Sequence, residues 1–111
     1  MQLVHPAEIA DYDTDRFVAV GVLAGTHSNL RMIRLGPPQA LPPHTPASSD
    51  LFLYVLEGAG ELDTTDGLVA IATGDLAQYR GDEELRVANT AEVGLTLLAF
   101  LAPVFPPVET S

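Results

Sequence analysis

The chain has 111 residues, 47% of them hydrophobic, and fifteen acidic side chains against five basic ones give it a net charge of −10. A chain of this length is expected to form one domain, residues 1–111, and burial of so much apolar surface offsets the ordering entropy that keeps polar chains disordered. All five basic residues are arginine and none is lysine; an acidic surface of this kind repels phosphate backbones, so nucleic acid is excluded as a partner.

There is no cysteine, so disulfides and thiolate chemistry are absent too. Residues 1–11 have neither a basic start nor an apolar run, so no signal peptide is expected; a short helical turn is read at residues 6–12. Strands follow at residues 16–23, 30–35, 51–57, 60–63, 68–72, 75–79, 85–89 and 94–101. They are short runs rich in Val, Leu and Phe, bounded by Gly, Pro and Asp. Between the fourth and fifth, Thr64-Thr65-Asp66-Gly67 has the Asp-Gly step of a tight hairpin. Asp82-Glu83-Glu84 reads as a solvated turn. The longest apolar stretch, residues 95–105, is interrupted by Pro103 and falls short of the roughly 20 residues of a membrane helix. A cytoplasmic protein without a membrane partner is the expectation.

About eight short strands at this spacing predict an all-β barrel or double-sheet jelly roll. Two of them are apolar on both faces. Leu51-Phe52-Leu53-Tyr54-Val55-Leu56 has nothing polar before Glu57, and Leu95 to Leu101 contains only Thr96. A barrel strand normally alternates, because one face meets water. Something therefore covers the outer face: a second subunit or the chain's own N-terminal segment. The first choice predicts a homodimer through Phe52, Tyr54 and Leu56, or through Leu98 and Phe100.

Residues 36–61 run from Gly36 through Pro43-His44-Thr45-Pro46 to Tyr54-Val55-Leu56-Glu57-Gly58-Ala59-Gly60-Glu61. This resembles the first motif of the cupin family: a Gly, His-x-His, a Glu, and a Gly seven residues beyond it. The stretch from Gly74-Asp75 to Asn89 resembles the second motif, and a last strand followed by Pro103, Pro106 and Pro107 resembles small single-domain members. The resemblance implies a cupin-type double-stranded β-helix, a jelly-roll barrel. It also implies a metal held by two His and a Glu from the first motif and a His from the second. In this sequence those positions hold His44, Pro46, Leu51 and Leu85, and Arg80 stands where the second motif usually has Pro. Asp50 is one place from the Glu position, and adjacent strand residues face opposite ways. First-row metals need three or four N/O ligands at set geometry. One imidazole does not meet that, so a degenerate metal site and no cofactor are expected.

The functional expectation is a cupin-type barrel that binds a small organic ligand without metal, through His44, Arg34, Met32, Leu51, Leu85 and Asn89. On the alternation Leu30, Met32, Arg34, the arginine points inward to meet an anion, or else it is a surface residue. His44 is a ligand contact or a hydrogen-bonded barrel histidine; His5 and His27, near turn signals, face solvent. Asn89 fits the position that closes the second motif with a structural hydrogen bond. The alternative is a cupin enzyme, either of the metal-dependent dioxygenase or isomerase type, or acting without metal as sugar epimerases do. His44 would then be the base, with Tyr54 or Tyr79 as acid. A purely interacting dimeric module is the third class; no helix-turn-helix is present. The fold alone does not choose among them.

Overall fold

Alternating Val, Leu, Ile and Phe build nine β-strands among the residues described, which are 1–46, 49–80 and 83–103 of a computed structural model. In chain order they are β1 (Val18–Ala24), β2 (Asn29–Leu35), β3 (Ala40–His44), β4 (Asp50–Glu57), β5 (Ala59–Thr64), β6 (Gly67–Ala72), β7 (Leu76–Tyr79), β8 (Leu85–Ala88) and β9 (Leu95–Ala102). One three-residue 3-10 turn, Pro6–Glu8, precedes them where the short helical turn was expected. No helix is long and apolar enough to cross a membrane. Asp82, Pro106 and Pro107 lie outside the described residues.

Two antiparallel sheets face each other, one ordered β1-β2-β9-β4-β7 and the other β3-β8-β5-β6. The architecture is all-β, as expected from the sequence. Eight strands match the sequence expectation to within two residues at each end; β3 was not expected. Its prolines, Pro42 and Pro43, have no N–H to give a ladder and argue against a strand. They are accommodated because β3 is an edge strand, paired only with β8.

Pairing fixes which side chains face inward. Across the five-stranded sheet the aligned residues Ile33, Leu97 and Val55 share the inner face, as do Leu101, Leu51 and Tyr79. With Leu62, Ile71, Leu85 and Val87 of the other sheet they form the core. Leu35, Leu95 and Leu97 are completely buried; truncating any of them to Ala would cost about 2–5 kcal/mol. The β5–β6 hairpin closes with Thr64 opposite Gly67, whose φ is +110° and whose carbonyl accepts from the Thr64 hydroxyl at 2.7 Å. Gly58, between β4 and β5, has φ +92°, and a Cβ there would overlap the Gly94 carbonyl. No other residue fits that corner.

The outer face of the large sheet is partly covered by the N-terminal segment. Arg34, only 6% exposed, donates to the Pro6 carbonyl at 3.3 Å and lies over the Tyr12 ring, 4.9 Å from its centroid. Tyr12 in turn packs on Gly94, where any Cβ would run into the ring. Coverage ends before Phe52 and Phe100, cross-strand partners that remain 43% and 41% exposed.

Candidate functional site

At one end of the barrel a cavity of about 260 Å³ opens between the sheets. Its floor is apolar: Ile33 from β2, Leu51 from β4, Ala99 and Leu101 from β9, and Leu85 from β8. Phe17 and Ala19 bound it on the β1 side. Leu41, Pro42, Pro43, His44 and Pro46 form the wall opposite. The polar side chains on this lining are His44 and Arg31.

An irregularity in β3 turns His44 toward this space. Leu41 pairs with Val87, but His44 pairs with Leu85, so β3 carries one residue more than β8 over this stretch. Leu41 already faces the cavity, and strict alternation would send His44 the other way. The extra residue, taken up by Pro42-Pro43, restores the inward direction. The exposed His44 thus stands at the rim, beside buried Leu85.

Residues 44, 46, 51 and 85, where the motif resemblance places metal ligands, all line this one cavity. Their donor set does not fit a first-row metal. It contains one imidazole among a proline and two leucines, and the Arg31 guanidinium adds positive charge to the same space. Asp50 is exposed on the far face of β4. Among the described residues no three His, Asp or Glu side chains are grouped closely enough to hold an ion.

The other expected site residues lie elsewhere, each for a reason in the register. Met32 and Arg34 sit on the outer face of β2, because Ile33 and Leu35 belong to the core. Met32 is fully buried there. Arg34 closes a ring with three neighbours: its Nη1 donates to Thr96 Oγ1 (3.2 Å) and lies 3.6 Å from Glu57 Oε2. Tyr12 Oη donates to that same carboxylate oxygen at 2.7 Å, which leaves the Thr96 hydroxyl to donate to Tyr12, also at 2.7 Å. A one-residue register shift in β4 between Val55 and Glu57 brings the glutamate to this face. Burial, before any other influence, raises the Tyr12 phenol above its ordinary value, and the nearby Glu57 adds to the rise.

Asn89 is a clamp rather than a cavity residue. Its amide donates to the Leu35 and Val93 carbonyls at 2.8 Å each, and its oxygen accepts from the Ala91 N–H at 2.9 Å. Tyr54 is half-buried on the outer face, level with Leu98 and Leu76. Tyr79 faces inward next to Leu51 but does not line the cavity, and its hydroxyl has no hydrogen-bond partner among the described residues. Burial raises its phenol above the usual value, helped by the charges of Glu83 and Asp63.

Three expected ligand contacts, His44, Leu51 and Leu85, therefore meet at one cavity, and three do not. Arg31 was not singled out in the sequence. The signal lay in β2, where two interleaved sets, Leu30-Met32-Arg34 and Arg31-Ile33-Leu35, are both largely apolar with one arginine each. Only the pairing with β9 tells which set faces in.

No family model and no curated protein matches the chain. Solved structures do resemble it. An uncharacterized conserved protein with a double-stranded β-helix domain from Klebsiella pneumoniae superposes with a TM-score of 0.85 at 15% identity, over 93% of this chain and 90% of its own. TT1209 from Thermus thermophilus gives 0.85 at 23% identity, over 94% and 99%. An RmlC-like cupin protein from Desulfovibrio desulfuricans gives 0.81 at 24%, over 94% and 98%. At these identities the likeness is one of fold. The chain has the cupin fold, a double-stranded β-helix.

Proposed function

We propose that this cupin-fold chain holds a small organic molecule in the cavity at the open end of its barrel, without a resident metal. The observation that carries the reading is the cavity itself, about 260 Å³ with an apolar floor and two cationic-type side chains on its lining. An apolar cavity of about 150 Å³ is enough for benzene, and pockets for drug-sized ligands begin near 300 Å³. A single-ring or short branched molecule fits that interval. The donor set described above supports the absence of a metal. Neither Tyr54 nor Tyr79, the acids of the enzyme reading, lines the cavity.

We propose a second copy of the chain as the protein partner, seated on the outer face around Phe52 and Phe100. Beside that pair lies a shallow hollow of about 420 Å³, which Leu23 and Leu30 help to line.

The cavity reading is tested by titrating isotopically labelled protein with benzyl alcohol and following amide resonances. Saturable shifts centred on Leu51, Leu85 and Ala99 are expected, and Ala19→Leu, which fills the exposed mouth, should abolish them without lowering the melting temperature. Absence of shifts at millimolar probe, or close to one metal ion per chain by elemental analysis, would refute it.

A further inference from the structure

Arg31 stands where the barrel otherwise puts apolar side chains. The next inward positions on β2, Ile33 and Leu35, are both in the core. Its cross-strand neighbours are the two smallest types available, Gly21 on β1 and Ala99 on β9. A Cβ on Gly21 would meet no atom within 4 Å. Space has been left around this guanidinium.

Among the described residues its charge is also unanswered. Arg34 has Glu57 at 3.6 Å and Arg86 has Glu84 at 2.7 Å. The chain carries fifteen acidic side chains, yet among the described residues the Arg31 side chain makes neither an ion pair nor a hydrogen bond. A half-buried guanidinium on the wall of an apolar cavity is costly unless an anion meets it there.

We propose that Arg31 anchors the carboxylate of a small apolar monoacid whose body fills the space over Leu51, Leu85 and Leu101. The proposal rests on the cavity reading above and names its ligand class. A guanidinium presents two parallel N–H donors that match the two oxygens of a carboxylate. One such fork balances one negative charge. A phosphate monoester would bring up to two charges to a chain already at −10, against a floor of leucines. His44, on the lining of the same cavity, is a further polar side chain for the ligand to meet.

The test compares benzoate, benzyl alcohol and phenyl phosphate by calorimetric or resonance titration on the parent, Arg31→Gln and Arg31→Lys. Benzoate should bind best. Arg31→Gln should weaken it roughly tenfold or more, the loss of a charge-assisted contact, while leaving benzyl alcohol unchanged. Arg31→Lys should fall between, and added salt should weaken benzoate alone. Equal binding of benzoate and benzyl alcohol, unaffected by either substitution, would overturn the anion anchor and leave the cavity reading standing. Tighter phenyl phosphate would overturn the choice of carboxylate. No binding of any probe would remove both readings together. If Arg31→Gln does not fold, the salt dependence in the parent and the Arg31→Lys result decide.

Discussion

The backbones of His44 and Leu85 are direct partners across β3 and β8, which sets the imidazole and the leucine side by side at the barrel mouth. Pro46 and Leu51 line the same space. The triple change Pro46→His, Leu51→Glu, Leu85→His should therefore join three new ligands to His44 in a four-ligand site. The apo variant should lose several kcal/mol, because buried leucines are removed and polar groups installed. Ni²⁺ or Zn²⁺ at a hundredfold excess over its dissociation constant should return about 2.7 kcal/mol. A melting shift with metal in the variant and none in the parent is the expected result. A folded variant with no metal affinity would mean that the four positions do not converge.

The ring of Arg34, Thr96, Tyr12 and Glu57 ties the N-terminal segment to the sheet. Tyr12→Phe keeps the ring face under Arg34 but removes two hydrogen bonds, and should cost about 1–2 kcal/mol in urea unfolding. The pH dependence has a definite sign. The folded phenol is raised above its ordinary value near 10. Below about pH 10 both folded and unfolded chains keep the proton, so the contribution is constant. Above it the unfolded chain ionises first, and stability falls as pH rises toward the folded value. Tyr12→Phe should flatten that alkaline decline. An unchanged slope would show that Tyr12 is not desolvated.

Tyr79→Phe should behave in the opposite sense at neutral pH. The hydroxyl it deletes is buried and has no partner among the described residues. Removing such a group, with the ring retained, should leave stability equal or raise it by about 1 kcal/mol. A loss of 2 kcal/mol in the urea midpoint analysis would point to a hydrogen bond not accounted for.

Phe52 and Phe100 pair across β4 and β9 and remain more than two-fifths exposed. Light scattering at micromolar concentration should give twice the 11.8 kDa chain mass. The double change Phe52→Ser, Phe100→Ser should give a monomer that stays folded. A monomeric parent would dispose of the second copy as the cover.

The large sheet was legible in the sequence because its strands are continuous apolar runs between strong turn residues, and Gly58 and Gly60 fall at a corner and at a close approach inside β5 that require them. At Gly60 a Cβ would collide with the Ala88 carbonyl. The alignment of residues 44, 46, 51 and 85 on one cavity was legible for the same reason: the glycines count out the register. What the sequence hid was direction. In β2 both faces are apolar, so Met32 and Arg34 looked as suitable for the interior as Arg31 and Ile33. Burial of Arg34 came from a segment twenty to thirty residues away, which period-two reasoning along one strand does not see. β3 was hidden by its prolines, since an edge position excuses them only once the sheet order is known.

The proline pair in β3 makes the direction of His44 depend on a bulge. Deleting either Pro42 or Pro43 would leave two residues from Leu41 to the histidine against two from Val87 to Leu85, so plain alternation would keep the imidazole facing the cavity with no bulge. A substitution that straightened the strand at its present length would instead turn the imidazole outward. A histidine two residues beyond Leu41 on a regular strand and one three residues beyond it behind a bulge thus reach the same interior.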